Sequence, residues 1–120
     1  MTKPSHMRKK ENISIKDFKA VDIRVGTVIS AQKNEFTNRP AFILHIDFGS
    51  LGILKTSAQI TELYQAEELI GKQLLAVVNF PPKQIAKMKS ECLVLGLSDE
   101  KGAIVLVSPD QSVPNGHYLH

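Results

Sequence analysis

The tandem prolines Pro81-Pro82 set the most restrictive condition in this 120-residue chain. They interrupt two β-type runs, one ending at Val77-Val78-Asn79-Phe80 and the other covering Glu91-Cys92-Leu93-Val94-Leu95-Gly96. Each proline has a fixed φ and no N–H to donate. The residue before them, Phe80, is pushed to extended geometry. The chain must therefore leave its sheet here. The segment it displays carries Lys83, Lys87 and Lys89, with no acid from Asn79 to Ser90. The remainder reads as a scaffold for this cationic arm.

The bulk charge says less than the arm does. The net charge of +3 and the pI near 9.1 point to nucleic acid at first sight. Lys3, Arg8, Lys9 and Lys10 supply that excess, and residues 11–120 hold eleven basic against twelve acidic side chains. A chain of this length is one domain and can bury a proper core. No apolar run is long enough to span a bilayer, so no membrane insertion is expected. The basic N-terminus has no apolar segment after it, which is not the pattern of a secretory signal. Cys92 is the one cysteine, so no internal disulfide can form. Its apolar neighbours predict a buried, inert thiol, and a reducing cytoplasm is the expected compartment.

Residues 1–12 are polar and aperiodic, and are expected to be a disordered basic tail; the domain proper is expected to occupy 13–120. Ser14 and Asp17 have capping-box spacing, which predicts a short helix over 15–21. Residues 22–30 alternate, with Ile23, Val25, Thr27 and Ile29 on one face and Gly26 marking a bulge or bend. Residues 32–40 read as a hairpin loop. Phe42, Leu44, Ile46 and Phe48 give the cleanest strand, residues 53–58 a third, and residues 60–70 a helix ending before Gly71. Strands follow over 73–80, 91–97 and 103–107. The tail 108–116 reads as an ordered loop anchored by Tyr118 and Leu119. The pattern predicts an all-β fold: a five- or six-stranded OB-type Greek-key barrel, with one helix between strands three and four and a short N-terminal helix. A four-stranded α+β sandwich is the alternative.

Several segments occur in family order: Asp22-Ile23-Arg24-Val25-Gly26, Ser57-Ala58-Gln59-Ile60, Val78-Asn79-Phe80-Pro81-Pro82-Lys83, Lys89-Ser90-Glu91-Cys92-Leu93-Val94-Leu95-Gly96, Pro109-Asp110 and Pro114-Asn115-Gly116. With these, the chain resembles the tRNA-binding domain family appended to some aminoacyl-tRNA synthetases. Within it, the chain is most similar to a free-standing bacterial branch described as protein-export chaperones. The resemblance runs from about Ile15 to the C-terminus. It implies an OB-fold, a homodimer and tRNA binding on a basic face. For the free-standing branch it implies binding of unfolded preprotein segments and contact with export machinery. Synthetase-type members carry a Lys-His-Pro loop between the first strands. Here Thr37-Asn38-Arg39-Pro40 keeps the proline without the lysine–histidine pair, which weakens the expectation of tight tRNA binding.

Lys83, Lys87 and Lys89 are the first candidates for tRNA or other structured RNA, since an ammonium group suits phosphate and each neutralised phosphate releases a counterion. The plain alternative is a solvated edge on which lysines block sheet pairing. Lys33, Arg39 and Lys55 extend the patch, with Ser57, Gln59 and Asn79 as neutral hydrogen-bonding groups or simple turn and cap residues. Phe36, Phe42, Phe48, Phe80, Tyr64 and Tyr118 are the available rings, too few for a stacking binder, so shape and phosphate recognition is the expected mode. Ile85 and Met88 lie between the lysines and, with Phe80, are candidates for peptide binding; the alternative is packing beneath the arm. Asp22 and Arg24 read as a structural ion pair. No nucleophile elbow, phosphate loop or metal-ligand spacing is present in the sequence, and neither catalysis nor a cofactor is expected.

Overall fold

In the computed structural model, residues 7–120 are described. Half of the expected basic tail, residues 1–6, lies outside them, and residues 7–12 are exposed. The chain then enters a short helix, α1 (Ile15–Lys19). Ser14 caps it with both bonds of the capping box: its hydroxyl accepts from the Asp17 N–H, and Asp17 accepts from the Ser14 N–H.

Five strands form the principal sheet: β1 (Ile23–Lys33), β2 (Phe42–Asp47), β3 (Ile53–Ala58), β4 (Gln73–Val77) and, after a hairpin, β7 (Leu93–Val94). All pairings are antiparallel, in the order β3-β2-β1-β4-β7. The two ends of this order meet. The Glu91 N–H donates to the Lys55 carbonyl at 2.8 Å, the Thr56 hydroxyl to the Cys92 carbonyl at 2.8 Å, and the Ser57 N–H to the Ser90 hydroxyl at 2.9 Å. A twisted sheet whose edges bond to each other is a nearly closed barrel, and closure removes the exposed edges. The all-β barrel is thus as expected, though built from shorter pieces. The arm itself is a hairpin of β5 (Lys83–Ile85) and β6 (Met88–Ser90), and β8 (Gly96–Ser98) pairs with β9 (Ile104–Leu106).

Alternation in β2 sets its faces as expected: Phe42, Leu44, Ile46 and Phe48 are buried and fill the barrel with Val28, Leu69, Leu74 and Ala76. In β1 the alternation leaves inside and outside open, and the packing decides. The face with Ile23, Val25 and Thr27 is the outer one, and the C-terminal segment covers it. The Val25 N–H donates to the His117 carbonyl, the Gly116 N–H to the Val25 carbonyl, and the Thr27 hydroxyl to Asn115 Oδ1. Gly26 and Val28 face inward. A Cβ at Gly26 would meet Ile46 Cγ2 at 2.6 Å and the Phe48 ring at 2.8 Å, so this glycine serves close packing. The bulge sits later. Pairing with β2 skips Ile29 between Val28 and Ser30, which leaves Ile29 exposed.

The second helix is also shorter than its spacing predicts. α2 covers only Ala66–Leu69, and turns occupy 61–63. The reason is local: the Glu68 carboxylate accepts from the Gln65 N–H, the Glu68 N–H donates to the Gln65 carbonyl, and the helix starts there. Ile60 and Leu69 are still buried against the barrel.

Candidate nucleic-acid interface

Phe80 and the two prolines carry the chain out of β4 and into the β5–β6 hairpin. Its strands pair Lys83 with Ser90, Gln84 with Lys89 and Ile85 with Met88, leaving Ala86-Lys87 as a two-residue turn. Such turns need a positive φ at their first position, and Ala86 adopts φ +52°. Cross-strand partners share a face and neighbours alternate. Lys83 therefore lies on the face of Ile85, Met88 and buried Ser90, whereas Lys89 lies on the opposite face with Gln84. Lys87 is at the tip. The arm expected from sequence as one cationic strip is a ribbon with a lysine on each face and one at its end.

The tip rests on the loop that joins β1 to β2. Lys87 Nζ stands 4.9 Å from the centroid of the Phe36 ring. That loop is cinched by buried Asn34, whose N–H donates to the Ala41 carbonyl, whose Nδ2 donates to Ser57 Oγ, and whose Oδ1 accepts from the Phe36 N–H. Phe36, Thr37, Asn38, Arg39, Gln59 and Ala86 line a shallow hollow here. Arg39, Gln59 and Lys87 are thus brought together. Among the described residues, no carboxylate lies in ion-pair range of Lys83, Lys87, Lys89 or Arg39.

The remaining candidates are placed differently. Lys33 ends β1 opposite Phe42, at the barrel rim, and is exposed. Lys55 faces out beside His45 on the β2–β3 pair. The Ser57 hydroxyl accepts from Asn34 and supports the loop. The Asn79 amide is occupied by the backbone: its Oδ1 accepts from the Asp22 N–H at 2.9 Å and its Nδ2 donates to the Ala20 carbonyl at 2.8 Å. It ties α1 to the barrel.

Beneath the hairpin is a more apolar cavity of about 410 Å³, lined by Phe80, Pro81, Ile85, Leu93 and Cys92, with Lys83, Thr56, Ser57, Ser90 and Glu91 completing its wall. Met88 is half-buried against Ile85 and is not among the lining residues. Cys92 is buried, as expected. Burial first, and the neighbouring Glu91 carboxylate second, push its thiol up to about 12, so it is a packing group at neutral pH. Asp22 and Arg24 form the expected ion pair, with Nε to Oδ1 at 2.6 Å. Arg24 also donates to the Gly116 carbonyl and lies 5.7 Å from the Tyr118 ring centroid. It thereby fixes the C-terminal segment.

The putative tRNA-binding domain family matches residues 23–118, four-fifths of the chain. This chain belongs to that family. The domain is similar to the methionine–tRNA ligase of Flavobacterium johnsoniae, 32% identical over 107 residues, which cover 89% of the chain and 15% of the ligase. It is also similar to the methionine–tRNA ligase of Methanothrix thermoacetophila, 34% identical over 110 residues, covering 92% of the chain and 16% of the ligase. The domain thus spans about a sixth of the length of these relatives. Among solved structures, it is similar over full length to the chaperone CsaA of Bacillus anthracis, at 47% identity and TM-score 0.87, covering 92% of this chain and 100% of that one. CsaA of Picrophilus torridus matches at 44% identity and TM-score 0.84, covering 91% and 100%. Among the described residues, no helix is long and apolar enough to cross a membrane.

Sequence reasoning does not single out Phe36. In the sequence it is one ring among several, and its exposure becomes evident only once the loop is closed around Asn34. The available signal is the asparagine two residues before it, since Asn side chains commonly cap the N–H two positions on.

Proposed function

We propose that this domain binds tRNA or similarly structured RNA without catalysis, through the β5–β6 hairpin and the adjoining 34–40 loop. The observation that carries the reading is the hairpin itself: a two-stranded ribbon with Lys83 and Lys89 on opposite faces, Lys87 at its tip and Arg39 beside it, with no carboxylate in range among the described residues. Lys87 at the tip, Lys89 on the hairpin's outer face and Arg39 in the adjoining hollow make a cationic end suited to the phosphates of a folded RNA, with Lys83 at the rim of the cavity beneath. Lys33 at the rim and Lys55 on the outer face extend the positive surface. The family match supports the RNA, and the absence of a Lys-His-Pro loop fits modest affinity.

The test is a titration of tRNA across salt concentrations. Four phosphate contacts at about 0.7–0.9 of a counterion each predict log K falling with log[salt] at a slope of roughly −3 to −3.5. No binding at low salt, or binding insensitive to salt, would remove the reading.

A second reading is favoured by the cavity under the hairpin. Phe80 and Ile85 there offer apolar contacts to an unfolded preprotein segment, with Lys83 at the wall and Met88 packed against Ile85. The full-length similarity to the CsaA chaperones supports it. An export client handled in the cytoplasm would suit this site. If preprotein-derived peptides displace bound tRNA, the two ligands share the hairpin; if they bind alongside it, the cavity is separate.

We also propose a homodimer. Ile15, Phe18, Tyr118 and Leu119 are exposed and line one concave surface of about 650 Å³ between α1 and the C-terminus. Apolar groups gathered in this way, on a chain with near-neutral surroundings, are suited to a second copy. Light scattering should give twice the 13.3 kDa chain mass. Ile15→Glu should shift it to the monomer with the circular-dichroism spectrum retained, because Ile15 has 69% of its surface in water in the single chain; the melting temperature should fall and lose its dependence on protein concentration. A wild-type monomer mass at micromolar concentration would contradict the proposal.

A further inference from the structure

Phe36 keeps 57% of its surface in water, although burying a phenylalanine would stabilise the fold. Its contact with Lys87 is a weak one at an exposed site. Folding alone therefore gives poor grounds for this ring at this place. Nor is the ring on a loose loop. Asn34 is buried at 3% exposure and bonds to Ala41, Ser57 and Phe36, and the Thr37 hydroxyl donates to the Arg39 carbonyl at 2.6 Å. On the other side, Ala86 holds a left-handed φ of +52°, a conformation that non-glycine residues rarely adopt, and Lys87 next to it lies over the ring. Two separate segments are constrained so that an aromatic face and a cation meet at the surface.

The hollow around them has about 370 Å³ and is mostly polar in its side chains: Thr37, Asn38, Arg39 and Gln59 beside Phe36 and Ala86. Glu35, the nearest carboxylate in sequence, is not among its lining residues. We propose that Phe36 is the stacking platform for one unpaired RNA nucleotide. Its base lies on the ring in place of the Lys87 ammonium, Lys87 and Arg39 take the flanking phosphates, and the amides of Gln59 and Asn38 meet the base edge or the sugar. This rests on the RNA-binding reading above and narrows it, from shape and phosphate alone to a site that needs one base out of its helix. An apolar peptide side chain is a poorer fit, because Lys87 lies over the ring and Arg39, Asn38 and Gln59 line the same hollow.

The chain contains no tryptophan, so Phe36→Trp introduces a single reporter into the full-length protein. A short oligoadenylate should quench its fluorescence, and a blunt RNA duplex of the same length should not. Phe36→Leu keeps an apolar group but removes the π face. It should weaken oligoadenylate binding roughly tenfold or more, with much less effect on the duplex and on the salt slope. An unquenched indole while oligoadenylate is bound overturns the proposal, as does equal binding of both RNAs by wild type and Phe36→Leu. So does a Phe36→Leu defect confined to unfolded peptides, which would assign the ring to a peptide site. The RNA-binding reading survives those three results and falls if tRNA does not bind the wild-type protein at low salt, or binds without salt dependence.

Discussion

Replacing Lys83, Lys87 and Lys89 together with alanine is expected to weaken tRNA binding by about 100- to 500-fold near 0.1 M salt. The figure follows from counterion release. Each lost phosphate contact removes about 0.7–0.9 from the salt exponent, which is a factor of roughly 5–8 at that concentration. Three contacts multiply, and the slope of log K against log[salt] should flatten by about 2–2.7. The fold should survive. All three side chains are exposed, and the hairpin is held by backbone pairing between Lys83–Ile85 and Met88–Ser90. Exposed substitutions of this kind move stability by about half a kcal/mol or less. Binding isotherms at several salt concentrations, with a thermal melt as control, check both halves. An unaltered slope would take the hairpin out of the interface, wherever else the RNA bound. Single substitutions should differ from one another, since Lys83, Lys87 and Lys89 face three ways and Lys87 also covers Phe36.

Gly116→Ala should be among the most destabilising single changes in the chain. Gly116 has φ +92°, and a Cβ there would lie 2.5 Å from the Phe48 carbonyl oxygen. Its counterpart Gly49 has φ +66°, and its Cβ would lie 2.4 Å from the Asn115 carbonyl oxygen. The obstructing atoms are backbone on both sides, so no rotamer change relieves the clash. Strain at φ costs about 1–3 kcal/mol, and forced backbone displacement adds about 1–3 more. A loss of roughly 3–5 kcal/mol is expected, read as a shift in the urea midpoint. The consequence reaches β1, because the Gly116 carbonyl accepts from Arg24 and the Gly116 N–H donates to Val25. Gly102→Ala is the control: φ is +83°, but nothing lies within 4 Å of the added carbon. It should cost about 1–2 kcal/mol, the backbone term alone. Equal losses at Gly102 and Gly116 would show that contact with Phe48 contributes nothing.

Elements with a local cause are legible in the residues themselves. Ser14 and Asp17 cap α1 because a hydroxyl and a carboxylate three apart suffice, whatever lies elsewhere. The alternation Phe42-Leu44-Ile46-Phe48 fixes its own face. Residues 22–30 are harder. Ile23, Val25 and Thr27 do share a face, yet period two cannot tell inside from outside. That choice is made by residues 113–119, about ninety positions away, which cover Val25 and Thr27. The bulge at Ile29 is hidden for the same reason, since only pairing with β2 makes one residue supernumerary. The lysine arm is located by its prolines but not shaped by them. Its pairing as a hairpin, with Lys83 and Lys89 on opposite faces, depends on register. Asn79, a candidate for RNA by its place in the family segment, has its amide taken up by the backbone of Ala20 and Asp22.

By itself the sequence determined that the chain would be built mainly of short strands, that two prolines would break the run at position 81, and that positive charge would be concentrated just after the break. Those are properties of neighbours along the chain, set by sterics and side-chain period. Only the tertiary structure decided which way each lysine faces, that the hairpin tip settles on Phe36, and that this ring is left exposed beneath Lys87 in a hollow shared with Arg39. Those depend on two loops some fifty residues apart meeting in space. No local rule encodes that distance.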